Sequence, residues 1–537
     1  MTPLVGIRTL AGLALRRDRI KLLLWVLLAA GLVAGTASSI KGLYATLAER
    51  QQYAVTIGAN PASAVLGGPG FGLSTLGGIT VAEVGSTLLA LVALPSILLV
   101  VRYTRTEEQT GRAELVGSAV VGRHARLAAA LLVVGGANLM IAAATIAVLI
   151  GYGLPVAGSL AFGLAVAGTG LVFAGVAAAV AQITENGRTA SGSAAAVFGL
   201  AFILRAVGDA SAAAQGGGVL KSLSWLSPIG WAQQVRAYDA ERWWVLGLQL
   251  AAFIALVGAG AALSVRRDVG AGLVPARLGR SEAAPSLAST WALAWRLQRG
   301  TLIGWTVGVA VGAGVFGAIA HDIDGMVATN SDAARVFAEL GGSRVLVDSY
   351  LAWVLSLTGI AAAAYAVGAV LRLRLEETDL RAEPVLATPV TRWQWAASHL
   401  VGAVVGIVTL LLTAGLVVGL VHGLRGGDVD HELPRVLTGA LVQVPAVLVV
   451  AGVAIALFGL APRGCATAWL VVVAALLISQ LGGILRLNRW VTDLSPFAHV
   501  PKVPGHEVTA APLIWLTAVA TLLAVAGLTR FRLRDLT

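Results

Sequence analysis

The sequence predicts an all-α polytopic membrane protein of about 12 transmembrane helices, arranged as two parallel six-helix repeats. Three observations predict it. The first is composition: 57% of the 537 residues are hydrophobic and only 12% are charged, about half the charged share of an ordinary soluble domain. A cytosolic enzyme does not fit such a chain, whose mean hydropathy is +0.85. The second is segmentation, because about 20 largely apolar residues carry a helix across the hydrocarbon core and roughly a dozen such stretches follow one another here. The third is internal repetition at a spacing of 269 residues.

In the first half the apolar windows fall near 22–40, 82–101, 127–151, 159–183, 190–207 and 243–264. The first follows Arg16, Arg17, Arg19 and Lys21. It is longer than the apolar core of a signal peptide, about 7 to 15 residues, and reads as an uncleaved span. A second set falls near 301–320, 350–371, 396–421, 433–460, 465–484 and 512–529. Between the sets Gly270, Gly272, Pro275, Gly279 and Pro285 break regular structure. The expected organisation is a first half at 1–268, a linker at 269–300 and a second half at 301–537. The linker ends in Trp291, Trp295, Arg296 and Arg299, and residues 10–19 have the same character. Both stretches read either as interfacial helices with snorkelling arginines or as basic flanks of the spans that follow.

An even number of spans returns the chain to its starting side. With the N-terminus inside, 25 of the 38 basic residues fall in inside segments, a bias that places both termini in the cytoplasm. The net charge of +11 is then a set of orientation marks spread along the chain, and no nucleic-acid partner is expected. The single cysteine, Cys465, permits no intramolecular disulfide and supplies no metal cluster.

The repeat is visible in the residues. Glu107-Glu108-Gln-Thr-Gly-Arg112-Ala-Glu114 returns as Glu376-Glu377-Thr-Asp-Leu-Arg381-Ala-Glu383, and Arg123 returns as Arg392. Leu226-Ser227-Pro228 recurs as Leu494-Ser495-Pro496, and Leu76-Gly77-Gly78 recurs as Leu340-Gly341-Gly342. Arg16, Arg19 and Trp25 return as Arg296, Arg299 and Trp305, while Arg266-Arg267-Asp268 closes the first half as Arg534-Asp535 closes the second. Six spans per unit insert both copies in one orientation, related by a pseudo-two-fold axis along the membrane normal. The charged stretches between the second and third spans, 103–126 and 372–395, are expected to be cytoplasmic helices. Glu108 and Arg112, like Glu377 and Arg381, are four apart and can meet on one helical face. An exposed pair of this kind is worth about 0.3–0.5 kcal/mol, a poor reason to keep it twice; a solvated connecting hairpin is the plainer reading.

From Glu376 through Glu383 to the Ala-Thr-Pro389-Val-Thr-Arg392 corner, the second stretch resembles the permeases of ABC-2-type transporters, in which an acidic helix leads to a Thr-Pro-x-x-Arg corner. With Gly-Ala-Asn-Pro at 58–61 and Trp-Leu-Ser-Pro at 225–228, the whole chain resembles fused twelve-span permeases of actinobacterial antibiotic exporters, the tetronasin-transport type. The resemblance implies an ABC-2, type V exporter-like fold in a bacterial plasma membrane, moving hydrophobic or amphiphilic compounds such as antibiotics, drugs or lipids outward. It also implies that each charged stretch is a coupling helix seated in a groove on an ATPase. Glu107, Glu108, Arg112, Glu114 and Arg123, with Glu376, Glu377, Arg381, Glu383 and Arg392, are the positions that would take this role. The first half has Val120 where the second has Pro389, so the two corners need not be equal.

A motor domain needs Gly-x-x-x-x-Gly-Lys-Ser/Thr to cradle phosphates. The lysines are Lys21, Lys41, Lys221 and Lys502, and none follows such a loop. No cofactor is expected in this chain; ATP and Mg²⁺ would bind to two copies of a separate ATPase. The competing reading is a proton-coupled transporter of the major facilitator kind, which also has two parallel six-span halves but a short basic loop after its second span. Within or near the spans, Glu83, Asn138, Arg205, His399, Gln443 and Gln480 are polar, and intramembrane polar groups are site candidates by default. Glu83, Asn138, Arg205, Gln443 and Gln480 are the candidates for the substrate path, although Glu83 and Arg205 lie near outer ends, where snorkelling accounts for them equally well. The Gly- and Ala-rich spans allow close helix approach, and an apolar cavity between halves would suit amphiphilic compounds.

Overall fold

A computed structural model describes residues 3–58, 64–65, 67–112, 114, 120–213, 219–275, 281–329, 343–481 and 488–535. Among the described residues all regular structure is helical, and twelve helices are long and apolar enough to cross a membrane. The protein is an all-α polytopic membrane protein. Its contacts separate two units, Met1–Gly279 and Arg280–Thr537, each of which has its own core.

In the first unit α1 (Ile7–Leu43), α3 (Leu76–Val101), α4 (Ala125–Gly151), α5 (Val156–Ile183), α6 (Gly187–Ala213) and α8 (Trp244–Val265) are the spans, with α2 (Leu47–Gly58) and the short α7 (Pro228–Gln234) outside them. The end carrying the connection from α3 to α4 is termed the inner end. In the second unit the spans are α9 (Thr290–Thr329), α10 (Ser343–Thr378), α12 (Arg392–Gly426), the pair α13 (Val429–Leu441) and α14 (Val444–Leu460), α15 (Ala468–Leu481) and α16 (Ala510–Leu533), with α11 (Ala382–Leu386) between α10 and α12.

Residue chemistry accounts for the helices. Along α1 the buried positions Leu22, Trp25, Val26, Ala29, Val33, Ala37 and Ile40 recur every three or four residues, while Leu23, Leu24, Leu27 and Leu28 stay exposed for lipid. α1 and α9 are continuous through their basic starts, 37 and 40 residues long. The tryptophan–arginine stretch 291–299 is therefore the first turns of a span and not a separate interfacial helix. α5 sits at the centre of its unit and packs on α3, α4 and α8, because Gly163, Gly168 and Gly170 accept Ile146, Gln249 and Asn138 where a β-carbon would collide. In the second unit α14 and α16 meet backbone to backbone at Gly459 and Gly527. Pro445, which has no N–H, separates α13 from α14 at Val442 and Gln443.

α3 contains Pro95, which leaves the carbonyl of Leu91 without its helical donor. The indole of Trp25 on α1 donates to that carbonyl at 2.8 Å. A defect in one helix is thus the anchor of another.

Candidate functional site

The helix of α3 does not stop at the apolar limit. It runs on as a π-helical turn at Arg102–Thr106 and a last α turn at Glu107–Gln109, then leaves helical geometry at Gly111, whose φ is +71°. In the second unit α10 ends at Thr378, and Leu380, 269 residues after Gly111, adopts φ +57°. Arg381 N donates to Glu376 O at 2.9 Å and Leu380 N to Glu377 O at 3.1 Å, the paired closure of a helix end on a left-handed residue. A left-handed leucine costs about 1 kcal/mol or more relative to glycine. Both units therefore bend at the same place, directly after the acidic pair.

The bend turns the second acid of each pair into the protein. Glu108 is held by Arg267, just beyond α8, through two hydrogen bonds of 2.8 and 2.9 Å, and by Arg105 at 2.9 Å. Arg105 also donates to Ala181 O and Ala271 O at 3.0 Å each, and Arg267 donates to Gln182 Oε1 at 2.8 Å. One carboxylate thus ties the inner ends of α3, α5 and α8. Glu377 repeats the arrangement: Arg534, just beyond α16, grips it at 2.7 and 2.8 Å, and Arg374 lies at 3.1 Å. The Arg534 guanidinium also lies over the rings of Phe458 and Phe531, at 5.1 and 5.2 Å. Bidentate arginine–carboxylate pairing fixes orientation as well as distance.

The first acids differ between the units. Glu107 accepts from Arg17 on α1 at 2.7 Å. Beside it the buried Asp18 accepts from Tyr103 and Arg102 at 3.0 Å each. Glu376 is buried and pairs with Arg381 at 2.9 Å and Arg372 at 3.5 Å. Arg123 donates to Val265 O at 2.7 Å, and Arg392 donates to the carbonyls of Arg532 and Arg534. Both arginines therefore secure the inner end of the sixth span of their unit.

Helical spacing predicts Glu108 against Arg112 and Glu377 against Arg381, and neither pair forms, because the chain leaves the helix between them. Arg112 and Glu114 are exposed, and Arg381 instead spans Glu376 and Asp379, the latter at 2.7 Å. Of the stretch 103–126, residues 113 and 115–119 lie outside the described residues; the stretch 372–395 holds one free-standing helix, the five-residue α11. The ten predicted coupling residues thus divide into those packed inward (Glu108, Glu376, Glu377), those securing helix ends (Glu107, Arg123, Arg392, Arg381) and those facing outward (Arg112, Glu114, Glu383). Arg105, Arg267, Arg374 and Arg534 are the partners of the acids that spacing arguments missed. The signals were present: Arg105 and Arg374 share the offset of the acids, and Arg267-Asp268 and Arg534-Asp535 end the two repeats.

The predicted substrate-path residues do not converge. Asn138 is fully buried and donates to Ser96 Oγ and Val134 O at 2.9 Å each, pinning α4 to α3. Arg205 is also fully buried and does not reach for headgroups: it donates to Val65 O at 2.7 Å, faces Asp209 at 3.6 Å and lies 4.5 Å over the Phe202 ring. Glu83 is exposed and accepts from the Tyr53 hydroxyl; burial and this carboxylate push the Tyr53 phenol above its usual pKa. Gln443 occupies the break between α13 and α14 and lies against Gly359 of α10. The side chain of Gln480 lies outside the described residues.

Twelve spans in two units, each with a clamped acidic elbow at its inner end, define a repeated helical membrane permease. The chain is 42% identical over 531 residues, 99% of its length and 95% of the relative's, to the multidrug efflux system permease protein Rv1217c of Mycobacterium tuberculosis. Residues 287–532 match the family model of the C-terminal domain of the multidrug efflux system permease Rv1217c. The chain belongs to the Rv1217c family of permeases. Neither match supports the major facilitator reading.

Proposed function

We propose that this chain is the membrane-embedded permease of an ATP-driven exporter, working in a bacterial plasma membrane with both termini in the cytoplasm and moving hydrophobic or amphiphilic compounds, including drugs, out of the cell. Two copies of a separate ATPase dock on the elbows at 103–126 and 372–395; ATP and Mg²⁺ bind to those partners. The observation that carries this reading is the duplicated clamp, Glu108 with Arg105 and Arg267, and Glu377 with Arg374 and Arg534. An exposed elbow that only joined two spans has no need of a buried carboxylate tied to the end of a span far along the chain.

The outward-facing Arg112 and Glu114 in the first unit, and Leu380 and Glu383 in the second, meet the ATPase. A push on the first elbow is not absorbed by a pliable loop, because Glu108 and Arg267 carry it to α5 and α8 at once. The test is expression with the candidate ATPase. Tagged permease should retain the ATPase through purification, and replacing the Walker lysine of the ATPase should abolish ATP-driven uptake into inverted vesicles, the equivalent of export from the cell. Export at full rate with that lysine replaced overturns the reading.

A further inference from the structure

Among the described substrate-path candidates, Glu83 alone keeps an ionisable group exposed on a span; Asn138, Arg205 and Gln443 are buried. It stands 19 residues before Arg102 on one continuous helix, a rise of about 28 Å against a hydrocarbon core about 30 Å thick. The carboxylate therefore sits at the outer edge of the core. A charge held at that depth is costly and marks a site by default.

The surroundings of Glu83 hold it in place without neutralising it. Tyr53 of α2 packs with Ile40, Leu73 and Ile79, which fixes its hydroxyl, and that hydroxyl donates to Glu83 Oε1. The ring of Tyr44 stands edge-on to that of Tyr53, with centroids 5.0 Å apart. Burial, and after it the nearby Glu83 charge, push the Tyr44 phenol above its usual pKa. Among the described residues no arginine or lysine pairs with Glu83, so Oε2 has no counter-charge.

A line of exposed positions runs inward from this carboxylate. Thr87, Leu94 and Leu98 lie within about 60° of Glu83 around α3, and all are exposed, Leu94 at 37% and Leu98 at 56%. Leu94 is about 16 Å from Glu83 along the axis. The residues standing 269 positions after Glu83, Leu94 and Leu98 are Ala352, Ala363 and Val367, and these are buried. The open face thus belongs to the first unit alone. It is anionic at its outer end and apolar further in. A divalent metal ion takes six or more oxygen ligands, and this face offers one carboxylate. An organic cation needs only one opposite charge and favours aromatic neighbours.

We propose, resting on the exporter reading, that this face binds cationic amphiphiles as they leave: the ammonium pairs with Glu83 Oε2, and the hydrocarbon tail lies along Leu94 and Leu98. The bound compound has the orientation of an outer-leaflet amphiphile, head at the interface and tail towards the midplane.

The probe is dodecyltrimethylammonium with a diazirine next to the nitrogen, compared with the matching dodecyldimethylamine oxide, which has no net charge. Each is added to the full chain in phosphatidylcholine nanodiscs and mapped by peptide mass spectrometry. Labelling by the cation should concentrate in 44–58 and 76–90, and Glu83→Gln should lower it there about fivefold or more. Glu83→Asp, which keeps the charge, should retain most of it, and labelling by the amine oxide should fall in neither variant. In inverted vesicles with the ATPase, Glu83→Gln should raise the concentration for half-maximal uptake of the cation relative to that of the amine oxide. Failure of the parent chain to take up either compound counts against the exporter, and the labelling then decides the site by itself. Cation labelling unaltered by Glu83→Gln overturns the proposal. So does labelling that appears only when glycolipid replaces phosphatidylcholine, because the face is then occupied by choline headgroups.

Discussion

Glu108 illustrates what a single residue does in this protein. Its side chain and that of Arg267 are each 7% exposed, so the pair stands out of water and its partners matter more than its charge. Breaking a buried, hydrogen-bonded pair on one side costs about 3–5 kcal/mol, whereas removing both charges together costs much less. Arg267→Gln should therefore lower the unfolding midpoint of the detergent-solubilised protein sharply, and Glu108→Gln, which takes the shared carboxylate from both Arg267 and the fully buried Arg105, should lower it at least as far. Arg112→Gln, at an exposed position, should stay within about 0.5 kcal/mol of the parent. A cost for Arg267→Gln as small as that for Arg112→Gln would show that the clamp is not buried in solution.

At the scale of elements, the link between α1 and α3 depends on a missing proton. Pro95 frees the Leu91 carbonyl and the Trp25 indole takes it. Trp25→Phe leaves that carbonyl unsatisfied and should cost about 1–3 kcal/mol. In a Pro95→Ala background the helix supplies its own donor, so the cost of Trp25→Phe should fall by about 1 kcal/mol, read from a double-mutant cycle of unfolding free energies. In the second unit Ala364 stands 269 residues after Pro95, keeps its N–H, and leaves Trp305 packed edge-on to Tyr365 instead. The spans were legible in the sequence because lipid demands long apolar runs, and the acidic elbows because their residues recur at a fixed offset. The partners of the acids were not. Helical spacing set Glu108 and Glu377 opposite Arg112 and Arg381, but the helices bend at Gly111 and Leu380, and no local periodicity points from Glu108 to Arg267 or from Glu377 to Arg534. The snorkelling account of Arg205 fails for a related reason: hydropathy locates it near the outer end of a span, while the carbonyls of Ala64 and Val65, far earlier in the chain, accept from its buried guanidinium.

At the scale of the molecule, each clamp closes inside its own unit, so the two should act as separate reservoirs of stability. Arg267→Gln and Arg534→Gln should have costs that add within about 0.3–0.5 kcal/mol when combined; a marked departure in unfolding experiments would reveal coupling between the units. The separation along the chain has a further consequence for biogenesis. Glu108 waits for a residue 159 positions later, and Glu377 for one 157 positions later, so neither clamp can form until all six spans of its unit have been threaded into the bilayer. If one span fails to insert, or the last enters in the wrong direction, the arginine emerges on the opposite side of the membrane from its acid and the carboxylate keeps only the arginine one turn earlier on its own helix, Arg105 or Arg374. The full clamp is therefore a contact that closes only in a unit whose six spans have all been laid down in the same register across the membrane.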